Sequence, residues 1–171
     1  MCNTRLCAIG ITFVAFFVQL LSFNATANPT YGDVTVAWMP HGIPHIIAKD
    51  LRGLGFGTGY AYARYNACLL LDTVVTVNGE RSRYFGADGK SMPGFQTVSN
   101  LDSDIFFRGY FDPTTLENEY RKHHTQAWQL ISGYAAGVNS FLRSSNATAQ
   151  MASCKGKPWV HPVTPHDIMM V

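Results

Sequence analysis

The longest apolar stretch of the chain lies at its beginning. The run from Leu6 to Leu21 is interrupted only by small or polar residues, and Arg5 is the only charged residue among residues 1–27. Ala25-Thr26-Ala27 then supplies the small-x-small pattern that signal peptidase accepts. We therefore expect a secretory signal over residues 1–27 and a periplasmic or secreted mature segment over residues 28–171. A transmembrane anchor is the alternative, because the run can extend to about 18 residues.

After the first 32 residues, the pattern alternates with the period of a β-strand. Val34 and Val36 are separated by single residues over 33–38, and 45–48 is a second β-prone run. The intervening residues 39–44 contain one glycine and two prolines, which is typical of a turn. This order predicts an N-terminal β-hairpin with a longer loop.

The next apolar segment changes to helical spacing. Asp50 is a suitable N-cap, and Tyr60 to Val77 predicts a mostly buried helix. Residues 53–60 between them carry four glycines, which helix propensity opposes. However, Leu54 and Thr58 fall near helical spacing, so both interpretations of this stretch stay open. In either case we expect a tight packing surface rather than a cradle for a ligand.

The clearest helical period begins at Asp112-Pro113, a cap followed by proline at the first helical position. Apolar residues recur at intervals of three, four and seven from Leu116 to Phe141. This stripe predicts one continuous, core-facing helix. Gly133 and Gly137 are the positions at which we expect it to bend or split.

The remaining segments are polar or end the chain. Glu80-Arg81-Ser82-Arg83 predicts a solvated helix face, and loops are predicted over 86–94, 99–104 and 143–154. Thr164-Pro165 repeats the cap-and-proline signal of a helix start. Because that helix closes on four apolar residues, Ile168 to Val171, without a cap, we expect the chain to be an incomplete polypeptide.

Composition narrows the classes of function. Thirteen Lys and Arg face eleven Asp and Glu without clustering, which argues against a nucleic-acid partner. No second long apolar run follows the predicted signal, so we expect no membrane association after its removal. Cys68 and Cys154 remain as an even pair in an exported chain, which predicts a disulfide closing a loop of roughly 85 residues. Two buried free thiols are the alternative.

Familiar catalytic motifs are absent from the sequence. There is no phosphate loop, dinucleotide fingerprint, His-Glu-x-x-His pattern or Gly-x-Ser-x-Gly elbow. We expect His123-His124 to lie on a solvated helix face, and His41 and His45 to make structural hydrogen bonds. His161 and His166 have only Asp167 as a neighbouring acidic ligand. We therefore predict no catalytic residue, no metal site and no cofactor.

Five blocks of the chain follow one another in a distinctive order: GIPHIIAKD (42–50) with GLGFGTGYAYAR (53–64), NACLLLD (66–72), GERSRYFG (79–86), GYAAGVN (133–139) and FL (141–142). They resemble the penicillin amidase family of N-terminal-nucleophile hydrolases, over the portion that forms its small chain. The resemblance extends over residues 31–171, with Tyr65 departing from the acidic residue usual there. The cysteine placement and the motif GKPW at 156–159 resemble the branch of acyl-homoserine-lactone and aculeacin acylases.

The resemblance implies a fold, an activity and a partner. The fold is α+β, part of an αββα four-layer sandwich to which this segment contributes mostly helices and a short N-terminal β-hairpin. Family members are secreted precursors that cut themselves into a small and a large chain, and the nucleophile is the first residue of the large chain. Because that cut is usually made at Gly-Ser and none of the fifteen glycines here precedes Ser, we expect this chain to be inactive alone.

The implied substrates are N-acyl amides, and the closest branch favours acyl-homoserine lactones. Penicillin, cephalosporin or lipopeptide acylases are the enzymatic alternatives. A non-catalytic secreted module, or the product of a pseudogene, is the alternative of another class. The implied partner is the large catalytic chain of the same precursor.

Overall fold

A computed structural model describes residues 33–94, 96–110 and 112–171, so the predicted signal lies outside the described residues. Strand β1 (Thr35–Trp38) pairs antiparallel with β2 (Pro44–Ile47), with Thr35 opposite Ile47. The connection forms one 3₁₀ turn in which His41 and Gly42 both take left-handed backbone angles, φ 69° and 78°. The predicted hairpin is confirmed, and glycine at position 42 adopts this conformation at no steric cost.

Helix α1 (Leu51–Val77) runs through the glycine-rich stretch without interruption. Its first turn is capped by Asp50, whose carboxylate accepts the Gly53 N–H at 2.6 Å. The open question of residues 53–60 is thus decided in favour of a helix. Buried residues occur along the whole of α1, from Gly53 to Val77, while one stripe that includes Leu54, Tyr65 and Leu69 is exposed.

The glycines of α1 are explained by its contact with α5 (Thr125–Leu142). A Cβ added at Gly59 would lie 2.8 Å from the carbonyl carbon of Tyr134, and one at Gly137 would lie 2.7 Å from the Tyr60 nitrogen. Gly55 and Gly133 face the opposite backbone in the same way. The two helices therefore approach more closely than side chains allow, which confirms the predicted packing surface. The buried contact offsets a propensity cost of about 1 kcal/mol per glycine.

The predicted continuous helix from residue 113 is wrong, because the chain breaks at His124 (φ −126°, ψ 49°) into α4 (Pro113–His123) and α5. The glycines do not cause the break, since their close packing against α1 holds α5 straight. The amphipathic stripe is also uneven: α5 buries Val138 and Phe141, whereas α4 has no fully buried residue. Asp112 caps α4 as predicted. The side chain and backbone of Thr115 donate hydrogen bonds to the Asp112 carboxylate, which lowers the pKa of Asp112.

Two predicted loops contain helices. Residues 99–104 begin α3 (Asn100–Tyr110), and residues 143–154 contain the short α6 (Ala147–Gln150). The first prediction failed because the polar residues of α3 face inward. The prediction of a loop over 143–154 failed because Ala147 and Met151 are buried, although most of the residues around them in sequence are polar. The short helix α2 (Arg81–Phe85) and the paired strands β3 (Lys90–Ser91) and β4 (Val98–Ser99) complete this side of the molecule.

The main core lies between α1, α5 and the C-terminal segment. Helix α7 (Pro165–Met170) begins at Thr164 with a complete capping box, as the cap-and-proline signal predicted. The structure joins Cys68 to Cys154 as a disulfide with a Cα–Cα distance of 5.7 Å. The core members share near-complete burial and are Tyr60, Ala63, Ala67, Leu70, Leu71, Val74, Ala135, Val138, Phe141, Ala147, Met151, Cys154 and Val163.

Candidate functional site

A polar cluster surrounds Arg81, the first residue of α2. Its guanidinium donates to the Asp72 carboxylate at 3.0 Å and to the Thr76 hydroxyl at 2.9 Å, and Nε donates to Asn100 Oδ1 at 3.1 Å. The Phe85 ring lies 4.8 Å from the guanidinium carbon. Only 12% of the Arg81 side chain is exposed. The predicted solvated face is therefore wrong at Arg81, because α3 covers it.

Helix α3 is attached to α2 by polar bonds. Asp104 accepts the backbone N–H groups of Arg81 and Ser82, each at 2.8 Å, and so satisfies donors that a helix start leaves open. The Asn100 amide donates to the Gly86 carbonyl at 2.8 Å. Within the same region the hydroxyls of Ser82 and Ser103 are buried without a hydrogen-bond partner. These contacts hold α1, α2 and α3 as one unit.

A cleft of about 420 Å³ opens beside this cluster. Asp72, Thr76 and Arg81 form its polar floor. Leu69 and Phe107 contribute apolar wall, together with the end of α7. A cleft with a charged floor and an apolar wall suits an amphiphilic occupant rather than a bare ion.

The first turn of α7 is anchored beside this cleft. Asp167, which is buried, accepts from the backbone and hydroxyl of Thr164 at 2.6 and 2.8 Å and from the Asn78 amide at 2.7 Å. His166 Nδ1 lies 3.2 Å from Glu117, which connects α7 to α4. Met170 consequently holds a fixed place in the wall of the cleft.

Histidine side chains are distributed over several elements of the described residues. Among them no histidine forms a hydrogen bond with a serine, threonine or cysteine side chain, and no three His, Cys, Asp or Glu residues converge as metal ligands. His123 and His124 are exposed, as predicted. Burial, with the nearby Tyr62, raises the pKa of the Tyr134 phenol far above its ordinary value, so the phenol stays protonated at neutral pH.

Sequence reasoning missed the cluster because it treated Arg81 and 99–104 as separate polar surfaces. One signal was available: Asn100, Ser103 and Asp104 follow helical spacing, and Leu101 and Ile105 follow it on the other side. An amphipathic helix with one polar face was therefore predictable from the pattern. The partner of that face, an arginine nineteen residues earlier in sequence, was not.

The fold defines the class of protein. Penicillin G acylase from Alcaligenes faecalis, in its thermostable form, superposes on 82% of this chain and 70% of its own with a TM-score of 0.63 at 23% sequence identity. The structure is thus part of an N-terminal-nucleophile hydrolase fold. It is mostly helical with a short N-terminal β-hairpin, as expected.

Sequence comparison then identifies the family. A profile described as penicillin amidase matches residues 33–171, and the chain belongs to the penicillin amidase family. It is 37% identical over 169 residues to acyl-homoserine lactone acylase PvdQ of Pseudomonas putida, covering 98% of this chain and 21% of that protein. It is 36% identical over 132 residues to aculeacin-A acylase of Actinoplanes utahensis, covering 75% of this chain and 16% of that protein. The chain spans about a fifth of the length of the curated relatives it matches.

One further property concerns membranes. None of the helices described by the structure combines the length and the apolar content needed to cross a bilayer.

Proposed function

We propose that this chain is the N-terminal portion of a secreted acylase precursor that hydrolyses the amide bond of N-acyl amides, with acyl-homoserine lactones as its substrates. The observation that carries the proposal is the 37% identity over 98% of the chain to an acyl-homoserine lactone acylase. In this proposal residues 28–171 form the small-chain portion and residues 1–27 form the export signal. The enzyme then acts in the periplasm or outside the cell.

Two coverage values support a division of the precursor into two chains. The chain matches 70% of a penicillin G acylase chain but 21% of the curated Pseudomonas putida relative. A chain of similar size thus occurs separately in a solved acylase, while the related polypeptide is several times longer. The remainder is the proposed large catalytic chain.

The family resemblance supplies the division of labour between the two chains in this proposal. The hydroxyl nucleophile and its α-amino base lie on the large chain, and attack on the amide carbonyl gives an acyl-enzyme that water hydrolyses. The oxyanion donors are also on the large chain. This chain contributes support: the Arg81 cluster and the Asp167 anchor fix α1, α3 and α7 around the cleft.

The test is made on the full-length protein that the gene encodes. We expect release of homoserine lactone from long-chain N-acyl homoserine lactones, measured by chromatography, and much slower release of phenylacetate from penicillin G. Preference for penicillin G would refute the substrate assignment. A stop codon directly after codon 171 would refute the enzyme proposal itself and favour a non-catalytic secreted module.

A lipopeptide acylase is the second candidate. The 36% identity to aculeacin-A acylase over 75% of the chain favours it. The same chromatographic assay separates the two, because a lipopeptide acylase releases a long-chain acid from a cyclic peptide and leaves the lactones intact. Cleavage of both substrate classes at comparable rates would assign a broad specificity for the acyl chain.

A further inference from the structure

A second cleft, of about 300 Å³, lies between the end of α5, the short helix α6 and the segment 160–162. It shares no lining residue with the cleft beside Arg81. Its volume lies at the lower end of the range of small-molecule sites, which begins at about 300 Å³. Its apolar lining residues are Leu142, Ala147, Met151, Val160 and Pro162.

The walls of this cleft are fixed by the surrounding fold. The Asn139 side chain accepts the Val163 N–H at 2.8 Å and donates to the Val163 carbonyl at 2.7 Å, which attaches the adjoining segment 160–162 to α5. Met151 is buried, and the disulfide of Cys154 joins the same stretch of chain to α1. The cleft is therefore preformed, and a ligand does not have to order its walls.

The rim of the cleft is cationic. Arg143 and Lys155 line it, and both residues are exposed. None of the ion pairs among the described residues includes either side chain, and residues 120–166 contain no Asp or Glu. The Lys155 ammonium donates instead to the hydroxyl of Thr148, another lining residue, at 3.0 Å. The rim therefore presents positive charge with which no carboxylate of the described residues pairs.

A buried hydroxyl adds a polar group beside the apolar lining. Ser144 lines the cleft, and its hydroxyl oxygen is buried without a hydrogen-bond partner among the described residues. A buried hydroxyl that lacks a partner destabilises a protein, because its hydrogen bonds to water are lost without replacement. A ligand headgroup that accepts a hydrogen bond from Ser144 removes this cost.

We propose that this cleft binds a single-chain carboxylate, with its apolar chain against the lining residues and its headgroup between Arg143 and Lys155. A bare anion makes no use of the apolar lining, and a neutral chain makes no use of the two cations. Burial of the chain supplies most of the affinity, and the exposed charges select the headgroup. The inference does not depend on the proposed function, although the acid that an acylase releases belongs to the same chemical class.

Photoaffinity labelling tests the proposal. The full-length protein is irradiated with a decanoic acid that carries a diazirine in its chain, and the adducts are mapped by mass spectrometry of its peptides. We expect adducts within residues 142–162, and we expect decanoate to compete for them at least about fivefold better than decanol. A lack of adducts in 142–162, or equal competition by the two compounds, would overturn the proposal.

Substitution of both cations tests their role as the headgroup site. We expect the double variant Arg143→Gln, Lys155→Gln to lower the yield of adducts in 142–162 at least about tenfold. Arg83→Gln removes an exposed arginine outside the cleft, and we expect it to leave the yield unchanged. Arg143 also lies at the carboxyl end of α5, where a cation is favourable. If that were its whole role, the double variant would be less stable but labelled as before, which would refute the proposal.

A second variant keeps the test decisive if the double variant does not fold. Thr148 is exposed and lines the cleft, so Thr148→Trp narrows its mouth at a position that tolerates a large side chain. We expect a similar loss of adducts in 142–162. Undiminished labelling of this variant would count against the cleft as the binding site.

Two further measurements separate the possible failures. If the protein binds phosphatidylglycerol vesicles through Arg143 and Lys155 but is not labelled by the free acid, the cleft faces a membrane surface and the proposed ligand is wrong. Lactone hydrolysis by the unmodified protein is measured in parallel. Labelling in 142–162 without hydrolysis refutes the proposed function and retains this site, and hydrolysis without labelling does the reverse.

Discussion

At the scale of single residues, Arg81 shows how one side chain organises several elements. Its guanidinium reaches the Asp72 carboxylate, the Thr76 hydroxyl and the Asn100 amide oxygen, and it is nearly buried. Arg83, two residues on, pairs with Glu80 at 3.2 Å but is 69% exposed. The same residue type thus occupies two opposite environments within one short helix.

We predict a large difference between substitutions at these two arginines. Arg81→Gln leaves Asp72 and Asn100 with unmatched polar groups, and we expect a loss of about 2 to 4 kcal/mol in the free energy of unfolding. Arg83→Gln removes an exposed ion pair, and we expect a loss below about 0.5 kcal/mol. Urea unfolding followed by circular dichroism measures both, and equal losses would show that the Arg81 cluster has no structural role.

At the scale of elements, the α1–α5 contact reverses the ordinary rule for glycine in helices. A Cβ at Gly59 or Gly137 would collide with the facing backbone, whereas one at Gly109 in α3 meets no atom within 4 Å. The glycines are therefore a requirement of the interface and not a weakness of the helix.

We predict that Gly59→Ala destabilises the chain by about 2 kcal/mol or more, because the two helices must separate to admit the methyl group. Gly109→Ala is the matched control in the same chain, and we expect a gain of up to about 1 kcal/mol from helix propensity. Thermal unfolding of the two variants gives the sign of each effect. Stabilisation by Gly59→Ala would contradict the close approach.

The elements also show what local pattern can and cannot predict. The hairpin, α1 beyond Tyr60 and the starts of α4 and α7 were predictable, because capping residues and apolar periodicity are properties of neighbouring residues. The burial of the polar face of α3 was not predicted, because it depends on Arg81, a partner distant in the chain. The break at His124 was not predicted either. The Arg81 cluster belongs to the second kind, and its site therefore emerged only from the structure.

At the scale of the whole molecule, the Cys68–Cys154 bridge joins the middle of α1 to the segment after α6. It closes a loop across 86 residues and therefore constrains the unfolded chain strongly. Cys154 is buried, so the bridge also forms part of the core.

We predict that Cys154→Ser lowers the free energy of unfolding by about 4 to 5 kcal/mol, which approaches the total stability of a small domain. The comparison is made by urea unfolding of the variant and the unmodified protein, with thiol alkylation under denaturing conditions to count free cysteines. A shift no larger than that of an exposed Ser153→Ala control would show that the bridge contributes little.

The two halves of the contact between the glycines of α1 and α5 are synthesised at different times. The α1 half of the contact leaves the ribosome roughly 80 residues before the α5 half, which is about 4 to 16 s at ordinary elongation rates. During that interval α1 packs against the hairpin that precedes it, where Gly57 faces Ile46 and Val36, but its glycine face toward α5 is uncovered. The face of α1 that carries Gly55 and Gly59 is therefore exposed until the segment around Gly137 has been synthesised.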